Sequence, residues 1–181
     1  MSRIPTPATI DAAPEAARPL LEAVNKQLGS MPNLFRIVAN SPAALEGYLG
    51  LNGALGKGKL PAAVREGIAL AVAQANGCGY CLAAHTFLGT NLVKLSEAEV
   101  AMNRKGGSGN AKVAAAIGFA LSVTKNRGMV SDAELSAVRA AGYSDAELVE
   151  IVAHVALNTL TNYINEVFGT EVDFPVVAVN A

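Results

Sequence analysis

Residues 61–92 read PAAVREGIALAVAQANGCGYCLAAHTFLGTNL. Pro61 stands where a helix begins, since the N–H it lacks would have no intrahelical partner there. The apolar run behind it shows no period-2 alternation and stops at Asn76-Gly77, a helix stop signal because glycine adopts left-handed backbone freely. A second helical run starts at about Cys78 and passes Leu88. Two helices joined by so short a turn fold back on one another, so the helices at 61–75 and 78–92 are expected to form an antiparallel hairpin. The turn also sets the register. Ten residues before it is Glu66, roughly 15 Å down its helix, and the same distance beyond falls near Phe87, one turn from His85.

Working outward, the spacing becomes helical from Pro14, with Leu20, Leu21, Val24 and Leu28 recurring at three and four residues up to Gly29. The segment MPNLFRIVAN (31–40) leads to Ser41-Pro42, an N-cap followed by proline, and that helix runs toward Gly56. Ser96-x-x-Glu99, Ser131-x-x-Glu134 and Ser144-x-x-Glu147 each carry the capping-box pattern. Lys105-Gly106-Gly107-Ser108-Gly109 is a flexible loop before an alanine-rich helix over 110–126. Only residues 172–180, VDFPVVAVN, suggest an extended tail, and nothing elsewhere forms a sheet. The fold class is therefore all-α, a compact helical bundle spanning 14–181 as a single domain behind an N-terminal arm over 1–13.

Composition agrees with one packed body. Of 181 residues, 51% are hydrophobic and 16% charged, against about 25% charged in an average globular domain. Such a chain buries a sizeable core, which excludes disorder over most of its length. The formal net charge of −1 argues against nucleic acid and against an anionic membrane surface. The proline-punctuated N-terminus has no continuous apolar stretch of the secretory kind, and no apolar run approaches the roughly 18 residues that span a bilayer. A soluble, cytoplasmic protein is expected. With 34 alanines, no tryptophan and thin charged cover, some apolar helix faces are left over, and a homo-oligomer would bury them.

The chemistry gathers in the hairpin. The only two cysteines, Cys78 and Cys81, form a Cys-x-x-Cys. In a cytosolic chain that spacing points to redox activity or metal binding rather than a structural disulfide. Its place at a helix start favours the thiolate. His85, four residues beyond Cys81, shares its helix face and can exchange a proton with it. Glu66 is brought near by the hairpin register; it partners His85, or else is a surface residue paired with Arg65 or another helix neighbour. Tyr80 screens the dithiol, donates a hydrogen bond or simply packs. His154, in mid-helix, reads as a satisfied core or interface histidine. No phosphate loop, dinucleotide glycine pattern or nucleophile elbow is present, so no nucleotide or flavin is implied.

Taken together, Glu66, twelve residues to Cys78, three to Cys81 and four to His85 resemble the alkylhydroperoxidase D (AhpD) pattern of the carboxymuconolactone decarboxylase-like superfamily. The segments MPNLFRIVANSP and NTLTNYINEVFGTEVDFP are similar to its peroxidase-related branch, so the resemblance covers nearly the whole chain. AhpD itself has a second histidine between the cysteines, where this chain has Tyr80. The resemblance implies an AhpD-like bundle and a thiol peroxidase or dithiol oxidoreductase. Cys81 would attack the peroxide, His85 and Glu66 would relay its proton, and Cys78 would resolve the sulfenic acid into a disulfide. Cys78, nearer the helix start, would be the more exposed thiol, open to the reductant. The implied partners are a small-molecule peroxide, a thiol or dithiol reductant, and further copies of the chain in a trimer or hexamer. No metal or organic cofactor is implied. Three alternatives stand beside this: a lactone decarboxylase, whose relatives generally lack the cysteine pair; a zinc-binding module; and a redox sensor with little turnover.

Overall fold

The structure, a computed structural model, describes residues 2–179. Met1 of the expected arm, and Asn180 and Ala181 at the end of the expected domain and tail, lie outside the described residues. Among the described residues there is no strand, and the architecture is all-α. The helices are α1 (Arg18–Leu28), α2 (Asn33–Val38), α3 (Pro42–Gly56), α4 (Ala62–Asn76), α5 (Gly79–Leu88), α6 (Glu97–Arg104), α7 (Ala111–Lys125), α8 (Asp132–Ala140) and α9 (Asp145–Phe168).

Helix α4 is the central post. From Gly67 to Ala73 every residue is buried, because α5, α6, α7 and α9 surround it. A helix enclosed on all sides reads as apolar all round. Close approach is what the small residues provide: a Cβ at Gly67 would stand 2.4 Å from Ile117 Cδ1 of α7. One half of the core packs α4 against α7, α8 and α9 through Ile68, Val72, Phe119, Val138 and Ile151; the other gathers Leu21, Leu34, Leu45, Leu70 and Leu82 around the start of α5. Each buried Leu, Ile or Phe contributes about 1.5–3 kcal/mol, whereas alanine contributes far less area.

Local differences from the sequence expectations have physical causes. The helix expected from Pro14 begins as a 3-10 turn, Glu15–Ala17, and turns α-helical at Arg18. This leaves Pro19, which has no N–H to donate, in the first helical turn. The segment 31–40 contains the short helix α2. The helix expected over 78–92 is α5 followed by a π-helical turn, Gly89–Val93. There Thr90 Oγ1 and Asn91 Nδ2 donate to the carbonyls of Thr86 and Phe87. Capping boxes are complete at Ser131 and Ser144. At Ser96 only the serine half forms, because the Glu99 carboxylate accepts from Ser108 and from Gly109 N and so pins the glycine-rich loop.

The segments before α1 and after α9 are both tied to the bundle among the described residues. Arg3 N donates to Phe168 O, Arg36 to Pro7 O and Asn40 to Pro5 O. From Thr170 to Val179 the chain has no regular structure and runs back across α2, α4 and α5: Asp173 accepts from Asn33 N, and Phe174 packs on the rings of Tyr80 and Phe87.

Candidate active site

The join between α4 and α5 places the dithiol. Gly77 ends α4 with φ +70°, and Cys78 follows as the N-cap of α5. Its Sγ accepts a hydrogen bond from Cys81 N at 3.4 Å, which satisfies one of the amides left free at a helix start. Both cysteines are free and buried, Cys78 completely and Cys81 to 2% exposure. The expectation that Cys78 is the more exposed thiol is thereby corrected. The C-terminal tail lies over the start of α5: a Cβ on Gly79 would meet Val179 Cγ2 at 3.5 Å. Gln74 and Arg104 hold the Val179 and Ala178 carbonyls.

The hairpin register brings Glu66 and His85 together. His85 Nδ1 and Glu66 Oε2 are 2.8 Å apart, with side chains 22% and 19% exposed, so the pair borders open space rather than lying sealed in the core. Arg65, the alternative partner for Glu66, donates to the carbonyls of Gly56 and Leu60 instead. Burial alone would lower the pKa of His85, but the charge and hydrogen bond of Glu66, helped by Cys81, outweigh it and raise the value.

The two thiols are driven apart. Cys81 is pulled down to about 6, chiefly by the hydrogen bond from Cys78, against the opposing effect of burial, and further by His85 and the amides of Asn165 and Asn162. Cys78 is pushed up by that same hydrogen bond to Cys81, by burial and by the charge on Cys81. Cys81 is the thiolate and Cys78 keeps its proton.

Helix α9 supplies residues that sequence reasoning missed. Its inward stripe, His154, Leu157, Asn158, Thr161, Asn162 and Asn165, is buried and largely polar. Asn165 Nδ2 donates to Cys81 Sγ at 3.2 Å, and Asn76 Nδ2 donates to Asn162 Oδ1 at 2.9 Å. The signal was present in the sequence as asparagine and threonine at helical spacing, where a core face would otherwise be apolar. Because the Asn165 amide faces the charged sulfur, Asn165→Leu is expected to raise the Cys81 pKa by about one to two units, as loss of a hydrogen bond to a charged group implies. Thiolate absorbance against pH measures it; an unmoved midpoint would make Asn165 a packing residue.

A cavity of about 630 Å³ opens onto Cys81, His85 and Glu66. Val24, Leu34, Leu49 and Leu157 form apolar wall, and Tyr48 also lines it. Burial, with the charges of Cys81 and Glu66, pushes the Tyr48 phenol up, so it stays a proton-bearing donor. Cys78 does not line the cavity. Tyr80 lines it, while its hydroxyl accepts from Leu34 N and donates to Asp173 at 2.8 Å. His154 is buried, as a core histidine should be, yet its Nε2 has no hydrogen-bond partner among the described residues. Burial and Arg65 lower its pKa, which holds it neutral. Among the described residues no three His, Cys, Asp or Glu side chains converge to hold a metal.

Residues 42–92 match the carboxymuconolactone decarboxylase family. The chain is similar to the solved alkylhydroperoxidase AhpD core of an uncharacterized peroxidase-related protein from Ralstonia eutropha JMP134, at 30% identity and a TM-score of 0.83, covering 95% of this chain and 92% of that one. A peroxidase-related protein from Silicibacter sp. TM1040 has the same fold at 22% identity and a TM-score of 0.80, with 98% and 92% covered. So does a cysteine-to-alanine variant of the debrominase Bmp8, solved with 2,3,4-tribromopyrrole, at 20% identity and a TM-score of 0.78, with 96% and 94% covered. No curated protein matches the chain.

Proposed function

The chain belongs to the AhpD-like, peroxidase-related branch of the carboxymuconolactone decarboxylase family, and on that premise we propose that it is a thiol peroxidase acting through a Cys78–Cys81 dithiol–disulfide cycle. The observation that carries the reading is a thiolate at Cys81 on a cavity floor, beside the proton-bearing His85–Glu66 pair and three residues from a protonated second thiol. Cys81 S⁻ attacks the terminal oxygen of a hydroperoxide, and the O–O bond breaks. The departing alkoxide takes its proton from His85, leaving a sulfenic acid on Cys81. Cys78 then forms the S–S bond and water leaves. An external dithiol returns two electrons and two protons by exchange. The cycle requires neither metal nor organic cofactor.

The cavity is far larger than hydrogen peroxide needs, and its wall sets Val24, Leu34, Leu49 and Leu157 beside Gln27, Asn52, Lys57 and Arg65, which favours an organic hydroperoxide that carries polar groups as well as an apolar part. The dithiol weighs against lactone chemistry, which has no use for it. Two free thiols suit a reducing compartment such as the cytoplasm; among the described residues no helix is long and apolar enough to cross a membrane. Mass spectrometry after peroxide treatment tests the cycle: one intramolecular Cys78–Cys81 link per chain is expected. Linkage mainly between chains would remove the resolving role of Cys78.

The outer face of α9 supports self-association. Val149, Val152, Leu160, Tyr163 and Val167 are exposed at helical spacing, with Val149 at 70%. A stripe of this kind is what a second copy would cover. Sedimentation should show a trimer or hexamer at micromolar concentration, and Leu160→Glu should dissociate it. A monomeric parent protein would end the proposal.

A further inference from the structure

The disulfide of the proposed cycle poses a problem of access. In exchange, the sulfur that leaves most readily is the one whose thiol has the lower pKa, so an incoming thiolate should attack Cys78 and expel Cys81. Cys81 is well placed to leave, because Asn165 Nδ2 already donates to it at 3.2 Å. Cys78, however, is completely buried and does not open on the cavity where the peroxide is received. The reductant therefore needs another way in.

The C-terminal tail lies over the start of α5, against the residue next to Cys78. It leaves α9 at Gly169 and is pinned first by Asp173, which accepts from Asn33 N at 2.7 Å and from Tyr80 at 2.8 Å. Phe174 follows, packed edge-on to Tyr80. Beyond it the attachment is lighter. Gln74 Nε2 donates to Val179 O at 2.7 Å, Arg104 donates to Ala178 O at 2.6 Å, and the Val179 side chain lies on Gly79, the residue next to Cys78. Apart from Val179 on Gly79, the hold on this last stretch is made of side chains grasping main-chain carbonyls. It would serve another extended peptide equally well.

Resting on the peroxidase reading, we propose that residues 175–179 are a removable strap seated in the site from which a dithiol-bearing polypeptide reaches Cys78, so that peroxide and reductant approach the dithiol from opposite sides. When the strap lifts, the first thiolate of the reductant bonds to Cys78 Sγ and the S–S bond breaks to release the Cys81 thiolate. The reductant's second thiol then attacks its own mixed-disulfide sulfur and frees Cys78. Two electrons and two protons pass to the protein, and the reductant leaves oxidised.

The test uses two variants outside the catalytic machinery: the full chain with Arg104→Ala, and a chain ending at Phe174, which keeps both anchors. In the Cys81→Ser background Cys78 is the sole thiol, and its alkylation by iodoacetamide reads access directly. Loss of the strap's hydrogen bonds is expected to speed alkylation by about tenfold or more in both variants. With both cysteines present, the chain ending at Phe174, which keeps Gln74 and Arg104 for the incoming polypeptide, should be reduced faster by thioredoxin while peroxide oxidation keeps its parent rate. Unchanged alkylation in both variants would overturn the strap. If peroxide oxidises no thiol in any chain, the peroxidase reading falls, and the alkylation rates still decide whether the strap covers Cys78.

Discussion

Peroxide consumption is expected to fall to the uncatalysed rate in Cys81→Ser, and to stop after one equivalent per chain in Cys78→Ser, with a sulfenic acid trapped on Cys81. The asymmetry rests on two opposing effects. The dipole of α5 favours an anion at its first residues, and Cys78 is the N-cap. That effect is worth about 0.3–1 kcal/mol, whereas a positioned base contributes about 10²–10⁴ in rate. Packing adds a third argument. Cys78 donates to Cys81, Asn165 donates to Cys81, and His85 lies one turn from Cys81, so these three groups stabilise negative charge on that sulfur, against the single backbone amide of Cys81 that faces Cys78. A sulfenic-acid probe labelling Cys78 in Cys81→Ser, with peroxide still consumed, would reverse the assignment.

His85→Gln is expected to lower the second-order rate with peroxide by about 10²–10⁴, the usual worth of a positioned acid–base group. Glu66→Gln should cost less, because the imidazole remains while the charge that raises its pKa is removed. The pH profile separates the two contributions. In the parent protein the rate should rise as pH passes about 6, where Cys81 ionises, and fall at higher pH when His85 loses its proton. Because Glu66 raises the His85 value above the ordinary 6.5, the falling limb belongs above that pH, and Glu66→Gln should move it downward. Stopped-flow rates across the pH range measure both limbs. A Glu66→Gln profile that overlays the parent would make Glu66 a structural residue.

Much of the site was legible because it lies within one hairpin. Pro61, Asn76-Gly77 and the spacing of Cys78, Cys81 and His85 are local signals, and helical rise alone carried Glu66 to the level of His85. The bond between Glu66 and His85 at 2.8 Å is the consequence. The contribution of α9 was of another kind. Asn165 is 84 residues from Cys81, and no periodicity rule sets how α9 is rotated about its axis against the hairpin. His154 shows the same limit: its burial follows from its place in an apolar helix, but the unpartnered Nε2 and its position on the cavity depend on what α3 and α4 bring opposite.

What the sequence by itself determined is what the backbone decides within a few turns: the all-α class, the helix starts at Ser41, Ser131 and Ser144, the hairpin, and the face shared by Cys81 and His85. Each follows from capping, helical period and the conformational freedom of glycine, which act between neighbours in the chain. Only the tertiary structure decided that both thiols are buried. The exposure of Cys78 at a helix start would follow from local geometry alone, but in the fold its side chain is completely buried, and a tail a hundred residues further along lies on the neighbouring Gly79, held by Gln74 and Arg104. The ionisation of Cys81 was settled the same way, since charge on a buried sulfur answers to every donor within a few ångströms, whatever its distance in the chain.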